Sequence, residues 1–191
     1  MKKINFNDRY GLTQAVIEGR KIMTRRLADP KQKYQGFKWW QPCLELGFGL
    51  YGLIEDDDWE LIEPRYHHGE IVAVAQCYND VVRECTDLAF VTGSTNKMFV
   101  RADLMPHQIR ITGIRCERLR DISDEDCIKE GVYAGSQALE YPYYFIDTKQ
   151  FLICDYKSPR EAFAALIDKV SGRGTWDRNP WVVVYEFELV K

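Results

Sequence analysis

The chain has 191 residues, of which 46% are hydrophobic and 29% charged, with a net charge of −3 and a pI near 5.7. That length suits one domain with a real core and excludes two full domains. The acidic balance excludes bulk attraction to nucleic acid, so any polyanion contact must come from a local patch. Six cysteines without a C-x-x-C pair read as reduced, mostly buried thiols rather than a disulfide framework. The opening "MKKINFNDRY" has no apolar run behind it and no stretch approaches membrane-spanning length, so a soluble, cytoplasmic protein is expected.

Along the chain, Leu12, Ala15 and Val16 recur at helical spacing, and Gly19 suits the left-handed position that ends a helix, which predicts a helix over 10–18. The stretch "GRKIMTRR", Gly19 to Arg26, follows at once. From about 27 to 66 the sequence is irregular, and its aromatics Trp39, Trp40, Phe48, Tyr51 and Trp59 suit packing more than base stacking. "IVAVAQCY" is apolar on both alternating faces and predicts an interior strand. "QIRITGIRCERL" predicts a strand whose apolar phase slips across Gly113, as a β-bulge would cause.

"ISDEDCIKEG" predicts a helix over 123–131, capped by Ser123 and ended by Gly131, which leaves the Glu130 carboxylate at the unfavourable end of the helix dipole. A second aromatic excursion covers about 133–157. A helix over 158–170 follows, with Ser158 at the cap, Pro159 in the first turn, Glu161 completing a capping box, and Phe163, Leu166, Ile167 and Val170 on one face. "WVVVYEFELV" predicts the last strand.

Between Arg20 and Lys33 stand six basic residues and one acid, the only strong patch in the chain. Such charges repel unless a carboxylate or a ligand compensates them. Lys21 and Thr24 share a face if the chain turns helically after Gly19, and an amine with a lowered pKa there could serve as base toward the hydroxyl. A helix end followed by a solvated basic strand is the plainer reading of that spacing. No Walker loop, dinucleotide fingerprint or H-E-x-x-H is present, and the three histidines announce no ligand set, so neither a metal nor a cofactor is expected.

"GRKIMTRR" resembles the G-x-K-x-x-T-x-R signature of the ASCH family. "GEIVAV", "MPHQIRI", "RCERLRDISDEDCIKEGV" and "NPWVVVYEFE" follow in an order similar to a phage and bacterial branch of that family. Ile22 stands where threonine is common, and His107 and Gln108 where arginine and tryptophan commonly follow Met-Pro. The resemblance implies one α+β domain over 1–191, a PUA-like mixed, curved β-barrel with short flanking helices and two irregular insertions. Some ASCH proteins remove the acyl group from acetylated cytidine with a lysine, a threonine and a glutamate, which by motif fall on Lys21, Thr24 and Glu130. Arg20, Arg25 and Arg26 would then hold phosphate or a base edge. Three functions stand side by side: binding of RNA or a modified nucleotide or nucleoside in a basic cleft, hydrolysis of acetylated cytidine, and a phage-type module whose protein partner docks on the aromatic excursions.

Overall fold

The computed structural model describes residues 1–28, 41–45, 49–53, 59–62, 64–84, 96–135, 144–146 and 153–190. The elements run β1 (Lys3–Ile4), α1 (Leu12–Ile17), β2 (Met23–Leu27), β3 (Gln41–Glu45), β4 (Gly49–Leu53), β5 (Trp59–Ile62), β6 (Ile71–Val74), α2 (Tyr78–Glu84), β7 (Gln108–Arg118), α3 (Asp124–Lys129), β8 (Tyr133–Ala134), β9 (Tyr144–Ile146), β10 (Ile153–Tyr156), α4 (Pro159–Ser171), α5 (Thr175–Arg178) and β11 (Trp181–Leu189). The fold is α+β. Its main sheet is mixed, in the order β1-β6-β7-β11-β2, with β1 parallel to β6 and every other pair antiparallel.

Strand β11 lies between β7 and β2, so both of its edges are paired, and Val182, Val183, Val184, Tyr185 and Phe187, which alternate between its two faces, are all buried. Its register with β7 runs Glu186 against Gly113 but Phe187 against Ile111, leaving Thr112 as the extra residue of a bulge. At Gly113 a Cβ would come within 2.9 Å of the Glu186 carboxylate, so the glycine keeps room for that side chain. The phase slip read in the sequence has this physical cause.

Three expectations need correction. The sheet does not close into a barrel: β1 is two residues long, and no main-chain ladder joins it to β2 among the described strands. The two excursions are not wholly irregular, since β3-β4-β5 and β8-β9-β10 each form a three-stranded antiparallel sheet. The side chains of Trp39, Trp40, Phe48, Tyr51 and Trp59 lie outside the described residues. The first helix begins at Leu12 rather than at residue 10, because Gly11 at φ +62° separates it from a short 3-10 turn at Asp8–Tyr10.

The core joins the sheet to the helices through Ile4, Phe6, Val72, Ile109, Ile111, Leu119, Phe163 and Val184, all buried. Helix α4 starts as read. Ser158 Oγ accepts from the Glu161 amide at 3.2 Å, and the Glu161 carboxylate accepts from the Lys157 amide at 2.9 Å. Phe163, Leu166 and Ile167 are buried, whereas Val170 is 38% exposed. No described helix is long and apolar enough to cross a membrane.

Candidate functional site

Although the main sheet is open, its ends approach one another. The chain leaving β1 passes β2, where Arg26 Nη2 donates to the Asn5 carbonyl at 2.5 Å. Lys97 holds that passing segment in place, donating to the Asp8 carboxylate at 2.6 Å, the Thr13 hydroxyl at 2.8 Å and the Phe6 carbonyl at 3.3 Å. Between the passing segment and α4 lies a cleft of about 200 Å³. It is lined by Thr24 to Leu27 of β2, by Asn5 to Asn7, and by Phe163, Leu166, Ile167 and Val170 of α4. The site therefore occupies the seam where a barrel would have closed.

Lys21 and Glu130 also line this cleft. Gly19, at φ +71°, ends α1 and turns the chain so that Lys21 enters the interior, where it is 2% exposed. Its ammonium donates to Glu130 Oε2 at 2.5 Å and to the Glu130 main-chain carbonyl at 2.7 Å. Glu130 is the C-cap of α3, so the buried cation meets both the carboxylate and the negative end of the helix. That resolves the odd placement of Glu130 read in the sequence. Burial lowers the Lys21 pKa below the ordinary lysine value, while the charge and hydrogen bond of Glu130 oppose that and the charges of Arg26 and Arg25 add to it. Gly131, at φ +104°, passes so close that a Cβ would lie 3.2 Å from Leu12 Cδ2.

Arg25 has no exposed side-chain surface. Its Nε donates to Glu117 at 2.8 Å, its Nη2 to Asp126 at 2.9 Å, and its Nη1 to Glu130 Oε1 at 3.1 Å. Arg25 pairs with Val184 and Glu117 with Val182 in the antiparallel register, so the guanidinium spans β11 above two valines to reach β7. Arg115 extends the network to Asp126 at 2.7 Å, to Glu117 at 3.0 Å and to Glu186. Two of the cations that repel in the sequence, Lys21 and Arg25, are thus compensated internally, by carboxylates of β7 and of α3 with its C-cap.

The remaining residues of the basic stretch divide. Arg20 pairs with Glu18 at 2.6 Å and lies 4.1 Å over the Tyr133 ring, outside the cleft lining. Arg26 lines the cleft beside the Phe6 ring at 5.7 Å, and no carboxylate pairs with it among the described residues. Thr24 is 5% exposed and lines the same cleft, and no hydrogen bond reaches its hydroxyl among the described residues. The structure therefore brings Lys21, Thr24, Glu130, Arg25 and Arg26 to one concavity and leaves Arg20 aside. Sequence reasoning missed Phe6 and the α4 wall. An outward apolar residue at Val170 on an otherwise buried stripe is the signal that marks this wall.

The network sets an acid limit on stability. Burial alone would raise the Asp126 pKa, but hydrogen bonds from Arg25 and Lys129, with the charges of Arg25 and Arg115, outweigh it and hold the carboxyl below the ordinary aspartate value. A carboxyl depressed in the folded state contributes stability that is present above its unfolded pKa of about 3.9 and is lost as pH falls through the folded value. Urea midpoints should therefore be flat from about pH 7 to 5 and drop below about pH 4. Asp126→Asn should lose stability at pH 7 and approach the parent as pH falls toward 2. A gap between the two that stays constant with pH would refute this role.

Comparison of the chain with protein-family models, with curated proteins and with solved structures finds no match. The arrangement above is the basis for a functional reading.

Proposed function

We propose that the seam cleft binds a modified nucleotide or nucleoside, free or within RNA, in a PUA-like domain resembling the ASCH family. The observation that carries this reading is the convergence of Lys21, Thr24, Glu130 and Arg26 on one cleft flanked by Phe6 and Phe163. A small concave site with apolar walls and a few convergent polar groups is the usual form of a small-ligand site. Because Arg25 is bonded to three carboxylates, the cationic contact to phosphate falls to Arg26 rather than to a row of free arginines.

Titration of a short single-stranded RNA at several salt concentrations tests this assignment. Affinity should fall with salt, and Arg26→Ala should weaken binding and reduce the magnitude of the log–log slope by about 0.7, the share of one phosphate contact on a single strand. Binding that is unaltered in Arg26→Ala, with the parent slope, would remove Arg26 from the ligand contact.

A second reading is favoured by the Thr24 hydroxyl, which shares the cleft with a buried lysine of lowered pKa and has no hydrogen-bond partner among the described residues. In that reading the cleft hydrolyses the amide of acetylated cytidine. In this step the Lys21 ammonium first gives a proton to water, and Thr24 Oγ1 then adds to the acetyl carbonyl carbon as its own proton passes to the resulting amine. The C–N bond then breaks, the lysine returns the proton to the departing cytidine nitrogen, and water hydrolyses the threonine ester to acetate. Glu130 positions the amine throughout.

A further inference from the structure

We infer that the cleft recognises its ligand through the main chain of Arg25: a planar heterocycle carrying a hydrogen-bond donor beside an acceptor docks on the open edge of β2. This deepens the nucleotide reading and rests on it. Strand β2 is the last of the main sheet, and its register with β11 determines which backbone groups are free. Phe187 N–H donates to the Ile22 carbonyl at 2.9 Å, and Ala28 N–H to the Trp181 carbonyl at 3.0 Å. In an antiparallel ladder the hydrogen-bonded positions alternate, and each exchanges both its N–H and its C=O with the partner. Thr24 and Arg26 therefore face β11. Met23, Arg25 and Leu27 turn both backbone groups the other way, and none of these groups has a main-chain partner among the described residues.

The cleft lies along this edge. Its lining takes in Arg25 and Leu27 but not Met23, and includes the Lys21–Glu130 pair. An added peptide strand needs a run of residues at about 3.4 Å each, with main-chain pairs at every second one. Two outward positions in about 200 Å³ are short for that and sufficient for one ring. The lining suits a flat occupant as well, since it includes two aromatic residues, Phe6 and Phe163. The N–H and C=O of Arg25 emerge side by side, which matches a heterocycle edge with one acceptor next to one donor, as a pyrimidine presents. The guanidinium of the same residue, held by three carboxylates, keeps this stretch of edge from shifting.

Amide and methyl NMR spectra of the full chain, titrated with uridine, cytidine and N3-methyluridine, test the inference. N3-methyluridine keeps the carbonyls and the ring but loses the donor. Uridine and cytidine should move the Arg25 amide resonance in saturable fashion, and N3-methyluridine should bind at least about tenfold more weakly, the effect of one lost hydrogen bond in a desolvated site. If N3-methyluridine binds as tightly as uridine, shifting the Leu166 and Ile167 methyls while the Arg25 amide stays still, main-chain recognition is overturned and the nucleoside site stands. If none of the three perturbs any cleft resonance at millimolar concentration, both the inference and the nucleoside reading fall. A peptide that shifts the Met23, Arg25 and Leu27 amides together, where nucleosides do not, overturns the inference in favour of strand addition.

Discussion

Glu130→Ala should lower the free energy of unfolding by about 3–5 kcal/mol, the usual result of removing one partner from a buried ion pair. The substitution leaves the Lys21 ammonium inside the protein, 2% exposed, with only the residue 130 carbonyl to accept from it, and it also removes one of the three carboxylates around Arg25. Most of the cost is the stranded charge rather than the lost attraction. The double variant Lys21→Met with Glu130→Gln should therefore be more stable than Glu130→Ala, and a double-mutant cycle through the single variants should return a coupling of the same sign. The pH dependence gives an independent check. With its counter-charge gone, the folded lysine has a pKa further below its unfolded value of about 10.4, so Glu130→Ala should gain stability relative to the parent as pH rises toward 10. A loss below about 1 kcal/mol in urea, or a deficit that does not shrink with rising pH, would show that Lys21 finds another partner.

On the hydrolytic reading, Thr24→Ala abolishes acetate release from acetylated cytidine, a drop of at least about 10³ if the hydroxyl is the nucleophile. The unfolding midpoint should move little, because no hydrogen bond to the Thr24 hydroxyl is made among the described residues and its truncation breaks none of them. That separation of activity from stability is what makes Thr24 the informative position. Lys21 cannot serve in the same way, because replacing it disturbs a buried ion pair along with the chemistry. Thr24→Ser should restore part of the rate, since it keeps the oxygen, whereas Thr24→Val keeps the shape without it and should remain inactive. Acetate release by Thr24→Val at the parent rate would eliminate the hydroxyl as nucleophile and return the cleft to a binding role alone.

Local chemistry made the helices and the bulge legible in the sequence. Ser123 and Ser158 cap as read, with Ser123 Oγ accepting from the Asp126 amide at 3.1 Å, because a cap depends on residues three apart. The bulge at Gly113 was visible for a similar reason: the apolar phase breaks within one strand. Lys21 and Thr24 line one cleft, but not as one face of a helical turn. Thr24 belongs to a strand, and Lys21 reaches the cleft from the turn before it.

The destinations of the arginines were not legible. Arg25 reaches Glu117 across an intervening strand and Asp126 on a separate helix, 92 and 101 positions away, and no local pattern encodes a contact at that distance. The open seam was equally hidden, since alternation shows that a segment is a strand but not whether its outer edge finds a neighbour. The strands of the two excursions escaped notice because short segments such as "GLYGL" carry glycines that strand patterns usually exclude.

A sheet that stops one ladder short of closure is soft in one direction. Widening any gap inside the ladder breaks several main-chain hydrogen bonds together, whereas the described part of the seam is crossed by the hydrogen bond from Arg26 to Asn5 and by side-chain packing. Local opening is expected to concentrate there, at a free-energy cost below that of global unfolding. On the ligand-binding reading, a small molecule should therefore enter and leave on the timescale of a local opening, while the valines of β11 and the bulge beside Gly113 stay in register. The same asymmetry would separate exchange from stability: on that reading residence time is set at the seam, and the melting point by the ladder and the buried carboxylate network behind it.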